Sequence, residues 1–132
     1  MEVVSIITQL LQVLQVLQRL VAISAVVVAA AVVVATEPRT IAGEVIDVRC
    51  HEKAADNVGD AHVDCALSCA RRGATLGIRT VDGVYTITGE YTGEMNRRLI
   101  EFVARTVKAT GEVTERDGRR TIRIREIKRS SK

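Results

Sequence analysis

TVKATGEVTERDGRRTIRIREI, residues Thr106 to Ile127, is the stretch on which the reading of the fold turns. Thr106–Glu115 and Thr121–Ile127 are β-type runs on either side of the pair Asp117-Gly118. Side chains alternate between the two faces of a strand, so Ile122 and Ile124 share one face and Arg123 and Arg125 the other. Asp-Gly is a favoured hairpin turn, because it tolerates the positive φ angles that two-residue loops need. The segment therefore predicts a long hairpin with one face in a core and one in water.

The same grammar appears upstream. Ala74–Val81, ATLGIRTV, and Val84–Gly89, VYTITG, flank Asp82-Gly83 and predict a second hairpin. Thr40–Cys50, TIAGEVIDVRC, predicts a strand ending at Cys50, with Gly43 at a bulge or a close approach of backbones. Gly111-Glu112-Val113 repeats the triplet Gly43-Glu44-Val45, which fits bent first and fourth strands. Between the third and fourth strands, Asn96–Val103 places Leu99, Ile100 and Val103 at helical spacing, with Asn96 as the expected cap. The fold class that follows is mainly β. Five strands with a helix between the third and fourth match the OB layout, a small, partly open Greek-key barrel. A Cys/His helix is inserted after the first strand.

The chain also resembles a group of small exported bacterial OB-fold-like proteins of uncharacterised function. The resemblance is carried by GEVIDVRC (Gly43–Cys50), HVDCALSC (His62–Cys69) and VKATGEV (Val107–Val113). It covers most of the chain after Arg39, and the cysteine segment is its most specific part. It implies this fold and an extracytoplasmic compartment, and it implies no activity.

All three cysteines and both histidines lie in Cys50–Gly73, CHEKAADNVGDAHVDCALSCARRG. A helix starting near Asp60 puts His62, Cys65 and Cys69 on one flank, at spacings of three and four. Val63, Ala66, Leu67 and Ala70 then form the core-facing stripe, and Gly73 caps the end. Cys50 is expected to reach the site from the strand, and His51 to face water. Two chemistries suit this set. As a Cys₃His site, Cys50, His62, Cys65 and Cys69 would hold zinc or copper(I). Alternatively, Cys50 forms a disulfide with Cys65 or Cys69, leaving the third cysteine as a buried apolar residue or a reactive thiol. Asp60 and Asp64 read as charges that favour the start of the helix.

No catalytic pattern is evident. There is no Cys-x-x-Cys, no Ser/His/Asp set in recognisable context and no paired carboxylates. A binding or structural module is expected, with a thiol-dependent redox protein or enzyme as the alternative. A nucleic-acid-binding OB domain is the second alternative. It is disfavoured because Tyr85, Tyr91 and Phe102 are the only aromatics that could stack on bases. Acids outnumber bases from Glu37 to Asn96, and bases dominate from Arg97 to Lys132. The basic end reads as the solvated face of a strand.

The first 35 residues carry only Glu2 and Arg19 as charges. Leu20–Ala35, LVAISAVVVAAAVVVA, is apolar except for Ser24; as a helix it would rise about 24 Å, less than a hydrocarbon core of about 30 Å. Ahead of it, Ile7, Leu10, Leu14, Leu17 and Val21 recur at three-four spacing, the mark of an amphipathic helix. Residues 1–35 are therefore expected to be a signal peptide cleaved after Ala35, or a membrane-anchoring helix if uncleaved. Residues 36–39 are the expected linker and 40–132 the OB-like domain. The expected location is periplasmic or otherwise extracytoplasmic, with the membrane or another protein as partner.

Overall fold

The computed structural model describes residues 1–24 and 37–131. The cleavage position after Ala35 and most of the apolar run before it lie outside the described residues. The chain divides into two compact units, Met1–Val34 and Ala35–Lys132.

In the first unit, helix α1 runs from Glu2 to Ser24. Its large apolar side chains from Val3 to Leu17, including Ile7, Leu10 and Leu14, are all more than half exposed. Among the described residues, no helix is long and apolar enough to cross a membrane.

The second unit is a five-stranded mixed sheet with short helical segments. Its strands are β1 (Arg39–Asp47), β2 (Leu76–Thr80), β3 (Gly83–Thr88), β4 (Thr106–Arg116) and β5 (Arg119–Arg129). All pairings are antiparallel except β3 with β5. β1 pairs with both β2 and β4, so the sheet closes on itself in the order β1-β2-β3-β5-β4. Both expected hairpins form. Asp117 and Gly118 take φ values of 53° and 72°, as a turn of this kind requires.

The repeated Gly-Glu-Val triplet marks the two tight corners. β1 pairs with β4 up to Glu44 and with β2 from Glu44 onward, so it changes partner at its triplet. A Cβ on Gly43 would overlap the Arg79 carbonyl, and one on Gly111 would overlap the Arg123 carbonyl. Glycine is needed at both because the neighbouring backbone occupies that space. The β4–β5 register also shifts between Thr110 and Gly111. Arg125 is the extra residue on β5, which explains why the buried series runs Ile122, Ile124, then Ile127. The core they join includes Val45, Leu76, Ile78, Leu99, Val103 and Val107, all 2 % exposed or less.

Two expectations need correction. The helical share exceeds that of a mainly β chain, because α1 adds 23 residues and the cysteine insertion adds two short helices. Asn96–Val103 is not a regular helix. Glu94, Met95 and Asn96 all have positive φ, and only a 3₁₀ turn, Ile100–Phe102, follows. Leu99, Phe102 and Val103 still reach the core. Asn96 does not cap this segment. Its buried side-chain amide donates to the carbonyls of Ala70 (3.0 Å) and Ala74 (2.8 Å), tying the end of the cysteine insertion to the barrel.

Candidate metal centre

The site begins where β1 ends. Asp47 is buried, and its carboxylate accepts the Cys50 backbone N–H at 3.1 Å, starting helix α2 (Val48–Lys53). Cys50 therefore lies in the first turn of a helix, not at the end of a strand. The turn is pinned to the sheet by the Val48 N–H, which donates to the Thr75 carbonyl at 3.0 Å.

The second arm is helix α3 (Val63–Arg71), preceded by a 3₁₀ turn at Asp60–His62. Ala66 and Ala70 are buried, and Val63 and Leu67 pack beside them on the core, as the spacing predicts. Gly73, at φ 80°, ends the helix as expected; its N–H donates to the Ala70 carbonyl, and the Ala74 N–H donates to that of Cys69. Cys65 and Cys69 thus stand one turn apart on the same flank, opposite Cys50 across the two helices.

The sulfurs of Cys50, Cys65 and Cys69 all lie within 4.8 Å of one another. Cys65 is exposed, Cys50 and Cys69 are half-buried, and all three are free thiols. Metal–sulfur bonds of about 2.3 Å put the sulfurs sharing one ion about 4 Å apart, within reach of small rotamer changes.

His62 is not in this group. It sits in the 3₁₀ turn with φ −113° and ψ 2°, so the helical register that would align it with Cys65 begins one residue later. Its Nε2 is buried with no hydrogen-bond partner, and so is Nδ1 of His51. His51 is half-buried, a correction to its expected place on the surface.

Two charged neighbours flank the thiols. Burial above all, then the Asp47 carboxylate and the other two cysteines, push the Cys50 thiol up to about 11. It is protonated at neutral pH, so a metal must displace its proton. On the other side, an Arg72 guanidinium nitrogen lies 3.6 Å from the Cys69 sulfur. Neither neighbour was expected. Asp47 was legible as an Asp three residues before Cys50, the N-cap spacing. Arg72 carried no such signal.

The insertion is fastened without help from sulfur. Its Gly59 N–H donates to the Glu44 carboxylate, which also pairs with Arg79 at 3.4 Å. The Asn57 amide donates to the Cys50 carbonyl at 2.8 Å, and Asp60 pairs with Arg105 at 3.0 Å. An ion here would be held by the fold and would not be needed to hold it.

The aromatics are occupied elsewhere. Tyr85 and Phe102 are buried, and the Arg98 guanidinium lies 4.0 Å from the centre of the Tyr91 ring. Comparison of the chain with protein-family models, curated proteins and solved structures finds no match.

Proposed function

We propose that residues 40–132 form an OB-like binding module whose working part is a thiol site for a soft metal ion, held by Cys50, Cys65 and Cys69. The observation that carries this reading is the convergence of three sulfurs. A disulfide between Cys50 and Cys65 or Cys69 would use two of them and leave the third without a role. The strand order β1-β2-β3-β5-β4, with its one parallel pair, supports the OB-like assignment. The near-absence of charge in residues 1–35 supports export or membrane attachment, with the module outside the cytoplasm. A nucleic-acid role has less support, since the aromatics that would stack on bases are buried or covered by arginine.

The test is metal titration of the reduced full-length chain with Zn²⁺ and, separately, with Cu(I). One equivalent should bind. Cys50→Ser, Cys65→Ser and Cys69→Ser should each weaken binding by about 100-fold, or roughly 2.7 kcal/mol. Two cysteines lost to a bridge in protein isolated under native conditions, with no metal bound, would instead establish the disulfide reading.

A further inference from the structure

Resting on the metal reading above, we infer that the resident ion is Cu(I), held by the sulfurs of Cys50, Cys65 and Cys69 alone, and that it is exchanged at Cys65 with an external thiol.

Donor number is the first argument. The cluster holds three sulfurs; the Asp47 carboxylate adjoins Cys50, but among the described residues no imidazole or carboxylate lies within 4.8 Å of all three. Residues 25–36, AVVVAAAVVVAT, contain no Cys, His, Asp or Glu, so that stretch supplies no fourth donor either. Structural zinc sites are closed by four protein ligands. A singly charged d¹⁰ ion is satisfied by three soft donors, and thiolates select for it. His62, which would complete a zinc site, does not stand with the sulfurs. Its turn is held by the His62 N–H donating to the Gly59 carbonyl at 3.1 Å and by the Asp60–Arg105 pair.

Access is the second argument. Cys65 is exposed while its two partners are half-buried, so an incoming donor meets the ion from the Cys65 side. Glu44, Asn96, Ala66 and Ala70 hold the insertion to the barrel, so the ion can leave without unfolding its site. These are the features of a cargo site, whereas a metal staple would be closed and needed for folding.

The chemistry balances without a redox step. On loading, three thiols bind one Cu(I) and release three protons; Arg72, beside Cys69, offsets part of the resulting negative charge. On exchange, the sulfur of an external thiol bonds to copper and the copper–Cys65 bond breaks. The proton of the incoming thiol passes to the Cys65 sulfur, and copper stays monovalent throughout.

The experiment loads the reduced, full-length chain with one equivalent of Cu(I) under anoxia. X-ray absorption should show three sulfur neighbours and no nitrogen. His62→Ala should keep its Cu(I) affinity within about twofold of the parent, while Cys65→Ser should lose about 100-fold. Transfer of copper to a bathocuproine chelator should accelerate in proportion to added glutathione. Nitrogen in the copper shell, about tenfold weaker binding in His62→Ala, or displacement of Cu(I) by equimolar Zn²⁺ would overturn the three-sulfur site while leaving metal binding intact. Transfer that ignores glutathione would overturn exchange at Cys65. Binding of neither ion would remove this inference together with the reading beneath it.

Discussion

The two glycine corners of the barrel and the cysteine insertion handle their polar and reactive groups in opposite ways. At Gly43 and Gly111 the backbones press so closely that no side chain fits. In the insertion three thiols gather, and two imidazole nitrogens are buried without hydrogen-bond partners. The corners are indispensable to the sheet and do no chemistry. The insertion is anchored by Glu44, Asn96 and the α3 core face, which leaves its sulfurs free of any structural duty. On the proposed reading, folding and function therefore fall on different residues only a few positions apart.

The largest expected effect breaks the corners. Gly43→Val or Gly111→Val must push aside a neighbouring carbonyl, and each should cost about 3 kcal/mol, read as a lower urea midpoint. A Gly43→Val protein of unchanged stability would mean that the two strands do not approach as described. Next comes the tie between the two regions. Asn96→Ala strips the donor from the Ala70 and Ala74 carbonyls and should cost about 2 kcal/mol. Its metal affinity should also fall, because α3 loses its anchor.

A smaller effect concerns Cys50 itself. Its thiol is raised from 9.0 to about 11, so between these values the folded chain holds a proton that the unfolded chain has lost. The stability this contributes is complete below pH 9.0 and is lost as pH rises through about 11. Metal-free Cys50→Ser should show a shallower alkaline decline than the parent in denaturation at several pH values, and parallel declines would contradict the assignment. Smallest of all is the triple Cys50→Ser, Cys65→Ser, Cys69→Ser change. Without metal it should move stability by less than about 0.5 kcal/mol, because the insertion is fixed by other groups. A large loss would show that a sulfur-based bond, and with it the disulfide reading, supports the fold.

How much could be read from sequence differs between the same two regions. The hairpins at Asp82-Gly83 and Asp117-Gly118, and the alternation of Ile122, Arg123 and Ile124, were legible because strand periodicity and turn chemistry are local. The repeated Gly-Glu-Val triplet even located both corners. The three cysteines were visible as a group, as was the core stripe of α3. What failed depended on non-local constraint. Asn96 resembled a helix cap, yet it serves carbonyls some twenty residues earlier, and the chain around it takes positive φ to bring it there. His62 had the right spacing but fell one residue outside the helix. Cys50 left the strand because the buried Asp47 carboxylate starts a helix beneath it.

Native mass spectrometry of the full-length chain, reduced and loaded with Cu(I), tests the central claim most directly, because the mass of the adduct counts the copper bound and the cysteine variants show which sulfurs hold it. Three converging thiols predict one species heavier by a single copper less one proton, the net exchange for a singly charged ion, and depleted in each single Cys→Ser variant. A chain that acquires no metal, or that loses only two hydrogens on exposure to oxygen and then refuses copper, would contradict it.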